Sequence, residues 1–485
     1  MSETLDLRPV IPAALVALTG LVTLLAQAFT PKGQRAPSAA LSLAGLSGAL
    51  ASVWLLGQEP MRGAVLAGAL SADGLSLFLQ AVILAVAIVT VLLTPGYLSA
   101  NGIERGEHYA LLLFSVVGML GLVSSLELVS MFVALEIMSV ALYGLAGIDR
   151  ARRESQEAAL KYFITGSFAS AFFLYGVALV YGVTGSTSIE RVTRALGVMG
   201  PEALPLAMLG TAMLLVGFGF KIASVPFHMW TPDVYEGAPT TVTAFMSAGV
   251  KAAAFGALLR VFDGGLFSLA SHWQPLVAAL AIVTMLLGNL AALAQTSLKR
   301  LLAYSSIAHA GYLMTALVAR PALASEAILF YLVAYAAVNL GAFGVIAALA
   351  RDGREPATVA DLAGLSERRP ALAAALTVFL VSLTGIPVTA GFVGKFNLFA
   401  AAISAGNIGI VLAIVGMLTS VVSAYYYLRV VVAMYMEPPL GEDNFAAVPA
   451  AAVLALVLSA GVTLLFGLWP TPVLTLARLA SRGLF

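Results

Sequence analysis

One apolar run follows another along this chain, each about as long as a bilayer is thick, and that repetition constrains the fold more than any motif. A hydrocarbon layer of roughly 30 Å takes about 20 residues of helix. Fourteen stretches meet that length: 10–30, 38–57, 74–98, 108–124, 126–147, 158–183, 204–224, 239–262, 272–294, 301–318, 326–350, 371–402, 407–435 and 449–469. Only "SSLE" separates the fourth from the fifth. With 61% hydrophobic and 10% charged residues the chain has too few charges to cover a soluble surface. The expected fold class is an all-α polytopic membrane protein with about fourteen transmembrane helices.

The first run ends near "LAQA", as a signal peptide would, but Glu3 and Asp6 stand against Arg8 in its leader and the apolar stretch is too long. It is expected to be a retained helix. There is no cysteine, which excludes disulfides, iron–sulfur clusters and thiolate metal sites within the chain. His108, His228, His272 and His309 show no metal-ligand spacing, and no glycine run sits in a nucleotide-loop context. No metal site and no cofactor are expected here, so redox chemistry would sit in another chain. A net charge of +1 implies no nucleic-acid partner, and the lipid bilayer is the expected surrounding.

Alternate loops carry Lys and Arg unequally, 12 on one side (among them Lys32, Arg35, Lys299 and Arg300) against 8 on the other (among them Arg8, Arg62 and Arg260). The positive-inside rule then puts both termini in the periplasm of a cell inner membrane.

Five basic residues fall within spans: Lys161, Lys221, Lys251, Lys395 and Arg429. A basic residue at a helix centre costs about 2.5 to 3.5 kcal/mol, so Lys221, Lys251 and Lys395 together cost roughly 8 to 10 kcal/mol, which something must offset. Lys161, three residues into its span, reads equally as a snorkelling side chain. Arg429, near a span end, is expected to snorkel. Among acids Glu136, in "MFVALEIMSVALYG", is mid-span, whereas Glu127 starts that span and lies on the opposite helix face. Only Glu136 therefore needs an internal partner, and Lys221 is the expected one. A purely structural ion pair is the alternative.

Two spans contain a proline beside a lysine: "FGFKIASVPFHMW" with Pro226, and "LTGIPVTAGFVGK" with Pro387. Proline cannot donate to the carbonyl four residues back, here those of Ile222 and Leu383. Freed backbone is tolerated at membrane depth only against protein or water. Paired interrupted helices in corresponding positions point to an ion path in proteins built from inverted repeats. The broken spans are the seventh and twelfth, which predicts two five-helix repeats, spans four to eight and nine to thirteen. The expected units are 1–107, 108–262 for the first repeat, 263–435 for the second, and 436–485. "YSSIAHAGY" sets Ser305, His309 and Tyr312 on one helical face, for either a relay or close packing.

The stretch "FGFKIASVPFHMWTPDVYEGAPTTVTAFMSAGVKAAAFGALLR", followed by "LKRLLAYSSIAHAGY" and "GIPVTAGFVGKFNLF", resembles the signature of the antiporter-like membrane subunits of respiratory complex I (NADH:quinone oxidoreductase). "PFHMWTPDVY" and a lysine in the twelfth span are similar to the N-type branch of that family. After the last predicted span only 470–485 follow, so the long lateral helix of the L-type branch is not expected. The resemblance implies a row of water-linked ionisable groups along the membrane midplane. Glu136 and Lys221 would form a coupling pair, Lys251 a central relay and Lys395 the exit-side lysine, with Lys161, His228 and His309 as accessory positions. Flavin, iron–sulfur clusters and quinone would belong to partner subunits, and related antiporter-like subunits would be neighbours. Glu127 departs from the family pattern. A subunit of a multi-subunit sodium/proton antiporter is the alternative, since it shares the lysine-bearing signature.

The energies are commensurate. A carboxylate and an ammonium about 6 Å apart attract by roughly 2.8 kcal/mol at an effective dielectric near 20. Moving one charge against about 150 mV costs roughly 3.5 kcal/mol. Separating or restoring the Glu136–Lys221 pair is therefore the right size of event to drive a proton along the row.

Overall fold

A computed structural model describes residues 7–30, 37–58, 68–103, 105–351, 353–439 and 447–482, with the backbone of 62–65. Glu3, Asp6, Lys32 and Arg35, used above for the leader and the loop count, lie outside the described residues. The chain is helical almost throughout because in hydrocarbon each segment must satisfy its own backbone. In order, the spans are Ile11–Phe29, Ser38–Gly57, Gly74–Ala100, Glu107–Ser124, Leu128–Ala146, Arg153–Thr184, Leu204–Ile222 with Trp230–Gly237, Thr240–Gly265, Ala270–Leu293, Leu298–Ala316, Pro321–Ala348, Pro370–Thr384 with Ala390–Ile403, Asn407–Met436 and Ala450–Leu468. Twelve of these helices are long and apolar enough by themselves to cross a membrane. The tenth span and the two short halves of the twelfth complete the fourteen expected.

Burial orders the bundle. The most apolar window of the eighth span is 100% buried and that of the eleventh 94%, against 28% and 22% for the first two spans. The lysine-bearing eighth span is therefore at the centre, shielded from lipid by protein on every side. It is also irregular, with π-helical stretches at Met246–Val250 and Arg260–Gly265 flanking Lys251–Leu259. An amphipathic helix, Ile189–Gly197, lies over its far end, where Thr193 donates its hydroxyl to the carbonyl of Gly264 at 3.2 Å. A two-stranded hairpin, Arg62–Val65 with Leu70–Ala72, and a final helix, Thr471–Ser481, lie outside the spans.

The seventh and twelfth spans are broken, as the prolines predict. The first half of the seventh ends at Ala223, which adopts a left-handed backbone with φ 62°. In the twelfth, Gly385 (φ 89°) and Val388 (φ 76°) form the interruption. A β-branched residue at positive φ is strained by roughly 1 to 3 kcal/mol, so the surrounding packing must hold it there. One such contact is visible at Gly391, where an added Cβ would come within 1.9 Å of the Ser382 carbonyl oxygen across the break.

Three basic residues depart from their expected places. Arg260, counted with the loops, is buried within the eighth span because its guanidinium forks onto Asp73 at 2.7 and 2.9 Å and also donates to Ser76 Oγ and the Val123 carbonyl. Lys299, likewise counted as a loop residue, is buried and donates to the Ala238 carbonyl at 2.9 Å and to Glu355 at 3.0 Å. Arg429 does not snorkel. It donates to the carbonyls of Gln295 and Leu293, at the C-terminal end of the ninth span, where the helix dipole favours a cation.

Burial raises the Asp73 carboxyl, but the Arg260 guanidinium and the Ser76 hydrogen bonds outweigh it and hold the group at about 2, below the usual 3.8. A depressed folded value means that this stabilisation is complete above about pH 4 and is lost as pH falls through about 2. Asp73→Asn should destabilise the membrane-extracted protein by about 3 to 5 kcal/mol at neutral pH, because it leaves Arg260 buried without a counter-charge; thermal unfolding checks this. Gly391→Ala should lower the unfolding temperature and the amount of chain recovered from membranes. Gly48→Ala, with nothing within 4 Å of the new Cβ, should leave both unchanged or slightly raised.

Candidate functional site

The two interruptions bring lysines to helix ends by different routes. Lys221 lies in the last turn before its break, whereas Lys395 lies after its break and reaches back, its Nζ donating to the Thr384 carbonyl at 3.0 Å. The receiving carbonyl is the neighbour of that of Leu383, the one that Pro387 cannot reach. At the C-terminal end of a half-helix, unpaired carbonyls and the dipole both favour a cation. Lys395 also donates to Ser420 Oγ at 3.2 Å and stands 4.7 Å above the centre of the Tyr312 ring.

Lys221 sits in an aromatic cage. Its Nζ is 5.6, 5.2 and 5.4 Å from the ring centres of Tyr143, Tyr162 and Phe220, and it has no hydrogen-bond partner among the described residues. Each ring face offsets about 0.5 to 2 kcal/mol of the buried charge. The Tyr162 ring stacks on Trp230 at 4.5 Å, and Trp230 donates its indole N–H to the Phe220 carbonyl at 3.1 Å. The "FHMW" segment after the break therefore folds back to wall the cage.

The expected Glu136–Lys221 ion pair is not formed as a contact. Glu136 is half-buried and accepts from the Ser170 hydroxyl on the sixth span. The carboxylate is bonded to Ser170, and the ammonium stands over the Tyr143 and Tyr162 rings. Glu127 stays at the membrane edge, accepting from Thr187 Oγ1 at 2.6 Å and Ser130 Oγ at 2.9 Å, which ties the loop before Ile189 to the start of the fifth span.

Lys251 donates to the Ser306 carbonyl and has the Tyr335 hydroxyl at 3.4 Å, and Tyr335 donates to Ser306 Oγ at 2.8 Å. From here polar side chains extend to Lys395 in separate hydrogen-bonded groups that adjoin through the His309–Tyr335, His309–Tyr312 and Tyr426–Tyr427 ring contacts. His309 is bonded through Nδ1 to the Tyr331 hydroxyl and through Nε2 to that of Tyr427 at 3.2 Å, and Tyr427 bonds Ser305. Tyr426 donates to Asn289 Oδ1 at 3.0 Å, and Asn289 Nδ2 donates to the Tyr312 hydroxyl at 3.0 Å, beneath Lys395. Ser305, His309 and Tyr312 thus share one face, as their spacing predicts, and that face is occupied by side chains of the ninth, eleventh and thirteenth spans. No carboxylate lies within ion-pair distance of Lys251 or Lys395 among the described residues.

The accessory residues separate. His309 belongs to these groups. Lys161 does not: it pairs with Glu157 and Asp233, each at 2.6 Å, and Asp233 also takes Arg300 at 2.7 Å, in a partly exposed cluster that pins Trp230–Gly237 to the sixth and tenth spans. His228 lies half-buried in the seventh-span break itself. Sequence reasoning missed Tyr331, Tyr335, Tyr426, Tyr427 and Asn289, although Tyr331, Tyr335 and Asn339 follow one another at i, i+4 and i+8. It also missed Asp263, which is buried with both carboxyl oxygens unpartnered. No group of three or more His, Cys, Asp or Glu fit to hold a metal occurs among the described residues.

Comparison with known proteins places this geometry. The family model described as "NADH:quinone oxidoreductase/Mrp antiporter, TM" matches residues 125–423, more than half of the chain and the whole of the lysine row. A protein of Trichlorobacter lovleyi named NADH-quinone oxidoreductase subunit N is 43% identical over 483 residues, covering 99% of this chain and 98% of the relative. Its namesake from Chloroflexus aggregans is 42% identical, covering 98% and 96%. Among solved structures, a chain of respiratory complex I from Thermus thermophilus aligns with a TM-score of 0.81 at 39% identity over 96% of this chain and 99% of that one. A chain of the Mrp complex from Dietzia has a TM-score of 0.85 at 22% identity, covering 99% and 98%, and shares the fold. This chain, a multi-pass membrane protein with three buried lysines set between two broken helices, belongs to the NADH:quinone oxidoreductase/Mrp antiporter family of membrane subunits, in its subunit N branch.

Proposed function

We propose that this chain moves protons as a membrane-arm subunit of an NADH:quinone oxidoreductase, driven by redox chemistry in other subunits. The observation that carries this reading is the row itself: Lys221, Lys251 and Lys395 are all buried, none has a contacting carboxylate among the described residues, and tyrosine and serine hydroxyls and the His309 imidazole, groups able to pass protons, lie between Lys251 and Lys395. Flavin, iron–sulfur clusters and quinone belong in this reading to partner subunits, and related antiporter-like subunits are the neighbours in the bilayer. The membrane is the cell inner membrane with both termini periplasmic. Removing the buried Arg260 and Lys299 from the loop count takes one residue from each side and preserves the bias.

The chain divides in this proposal into 1–107, a first repeat 108–262, a second repeat 263–435 and 436–485. The broken seventh and twelfth spans occupy the same place in each repeat. Glu136 and Lys221 form the switch. Because the carboxylate rests beside Ser170 rather than on the ammonium, a charge change at one end of the chain has two positions to select between: Glu136 apart from Lys221, or Glu136 moved toward it. Closing the pair is worth roughly 2 to 3 kcal/mol, comparable with the roughly 3.5 kcal/mol for one charge crossing about 150 mV. When Glu136 withdraws, the Lys221 cage gives up its proton toward Lys251, the hydroxyls beyond it hand it on, and Lys395 holds it at the end of a half-helix for release. His309 bridges two tyrosine hydroxyls and is the group among them able to take a proton on one nitrogen while giving one from the other. His228 and Lys161 act at the edge of the switch, on the segment that walls the Lys221 cage.

The sodium/proton antiporter reading shares the family model and the fold, but the Mrp chain is only 22% identical, against 39% for the complex I chain and 43% for a relative named subunit N. Proton uptake by inverted vesicles containing the assembled complex, measured per NADH oxidised, tests the proposal. Lys221→Ala and Glu136→Ala should each abolish or sharply lower pumping; normal coupled pumping in either variant would overturn the assignment.

A further inference from the structure

The eighth span ends on a buried acid that the lysine row does not use. Asp263 lies twelve residues beyond Lys251, about 18 Å along the helix, in the π-helical turn Arg260–Gly265. The intervening stretch "AAAFGALL", 252–259, has no polar side chain, so nothing on this helix links Asp263 to Lys251. Asp263 is 2% exposed, and neither carboxyl oxygen has a hydrogen-bond partner among the described residues. An ionised carboxylate with no donor and no cation is among the most costly groups to bury, whereas an acid that keeps its proton is neutral.

The charged groups around it are engaged elsewhere or exposed. Helix Ile189–Gly197 and the turn Phe267–Leu269 pack on this segment, and the Phe262 ring meets Phe218 of the seventh span and Trp273 of the ninth. The covering helix buries Ile189, Val192 and Leu196 and exposes Glu190, Arg191 and Arg194, with Glu190 and Arg194 paired to each other. Glu202 before the seventh span and His272 in the ninth are exposed too. On the turn itself Arg260 gives Nη1 and Nη2 to Asp73, Ser76 and the Val123 carbonyl, but its Nε is buried without a partner among the described residues. One turn thus holds an unused guanidinium donor and an unused acid three residues apart.

The cover over that turn is thin. Ile189 lies against Gly265, and the Thr193 hydroxyl is shared between the Ile189 carbonyl of its own helix at 2.8 Å and the carbonyls of Gly264 and Gly265 at 3.2 and 3.4 Å. Beyond this single layer stand the exposed charges of the covering helix. We propose that Asp263 is a proton-binding site separate from the lysine row: it holds a proton at rest, releases it to water past helix Ile189–Gly197, and its carboxylate is then received by Arg260 Nε. Release leaves one guanidinium serving two acids, which weakens its hold on Asp73 and with it the clamp between the eighth span and the start of the third.

A hydrophobic carbodiimide applied to the assembled complex at neutral pH tests this. Only a protonated carboxyl reacts: its proton moves to a carbodiimide nitrogen, an oxygen bonds to the central carbon, and acyl migration to nitrogen leaves a stable acylurea that peptide mass spectrometry locates. Asp263 should carry the adduct, whereas Glu190 and Glu202, which are exposed, and Asp73, which is ion-paired, should not. Asp263→Asn should lose the adduct, and its unfolding temperature should rise relative to that of the wild type as pH is raised from about 5 to about 8. Aspartate in an unfolded chain ionises above about pH 4, so unfolding of the wild type releases the proton held at Asp263, and its folding equilibrium falls by about tenfold per pH unit; asparagine has none to release. The wild-type adduct alone decides if the variant fails to assemble. An Asp263 that stays unmodified at neutral pH, one that reacts no faster than Glu190 and Glu202, or a difference between wild type and variant that does not change with pH would each overturn the proposal.

Discussion

An ammonium group taken into hydrocarbon has to be given substitutes for water, and the rest of this structure is arranged around supplying them three times. Each buried lysine carries a penalty of about 2.5 to 3.5 kcal/mol, and three different devices offset it. Lys221 has aromatic faces, Lys251 a carbonyl and a tyrosine hydroxyl, and Lys395 the open end of a half-helix. None of the three is a contacting carboxylate. That choice matters for function, because a lysine locked against an acid would hold its proton, whereas one held by rings, hydroxyls and carbonyls can exchange it.

The two broken helices are therefore related but not equivalent. In the seventh span the lysine precedes the break, and the chain beyond it returns so that Trp230 packs on the Tyr162 and Phe220 rings that face Lys221. In the twelfth the lysine follows the break and clasps the preceding half, with Gly391 allowing the halves to approach. In the proposed mechanism the first arrangement responds to Glu136, and the second receives the proton at the end of a half-helix. The eighth span connects them, and its complete burial keeps Lys251 away from lipid.

Much of this was legible in the sequence because membrane helices announce themselves by length and composition. All fourteen spans, both breaks and the three lysines follow from apolar runs and proline positions alone. Partners across the bundle were not legible, since nothing local says that Arg260 meets Asp73 or that Tyr427 meets His309. Asp263 escapes for a simpler reason: the predicted eighth span stops at 262, while the helix continues to Gly265 and takes that acid into the bundle. The Glu136–Lys221 contact was inferred from charge complementarity, and that rule cannot see that Ser170 offers the carboxylate a nearer hydrogen bond. The family resemblance implies the order of the row, and the tyrosines packed between Lys251 and Lys395 emerge only from the assembled helices.

If the buried cations carry protons rather than merely specify packing, the far end of the row is where the two accounts part most cleanly. Lys395→Met keeps the length and apolar stem of the side chain and removes the titrating group. The direct measurement is the ratio of protons translocated to NADH oxidised by the assembled complex carrying that one substitution. The account predicts normal assembly with a sharply reduced ratio; normal assembly with an unchanged ratio would contradict it and reduce the row to a packing device.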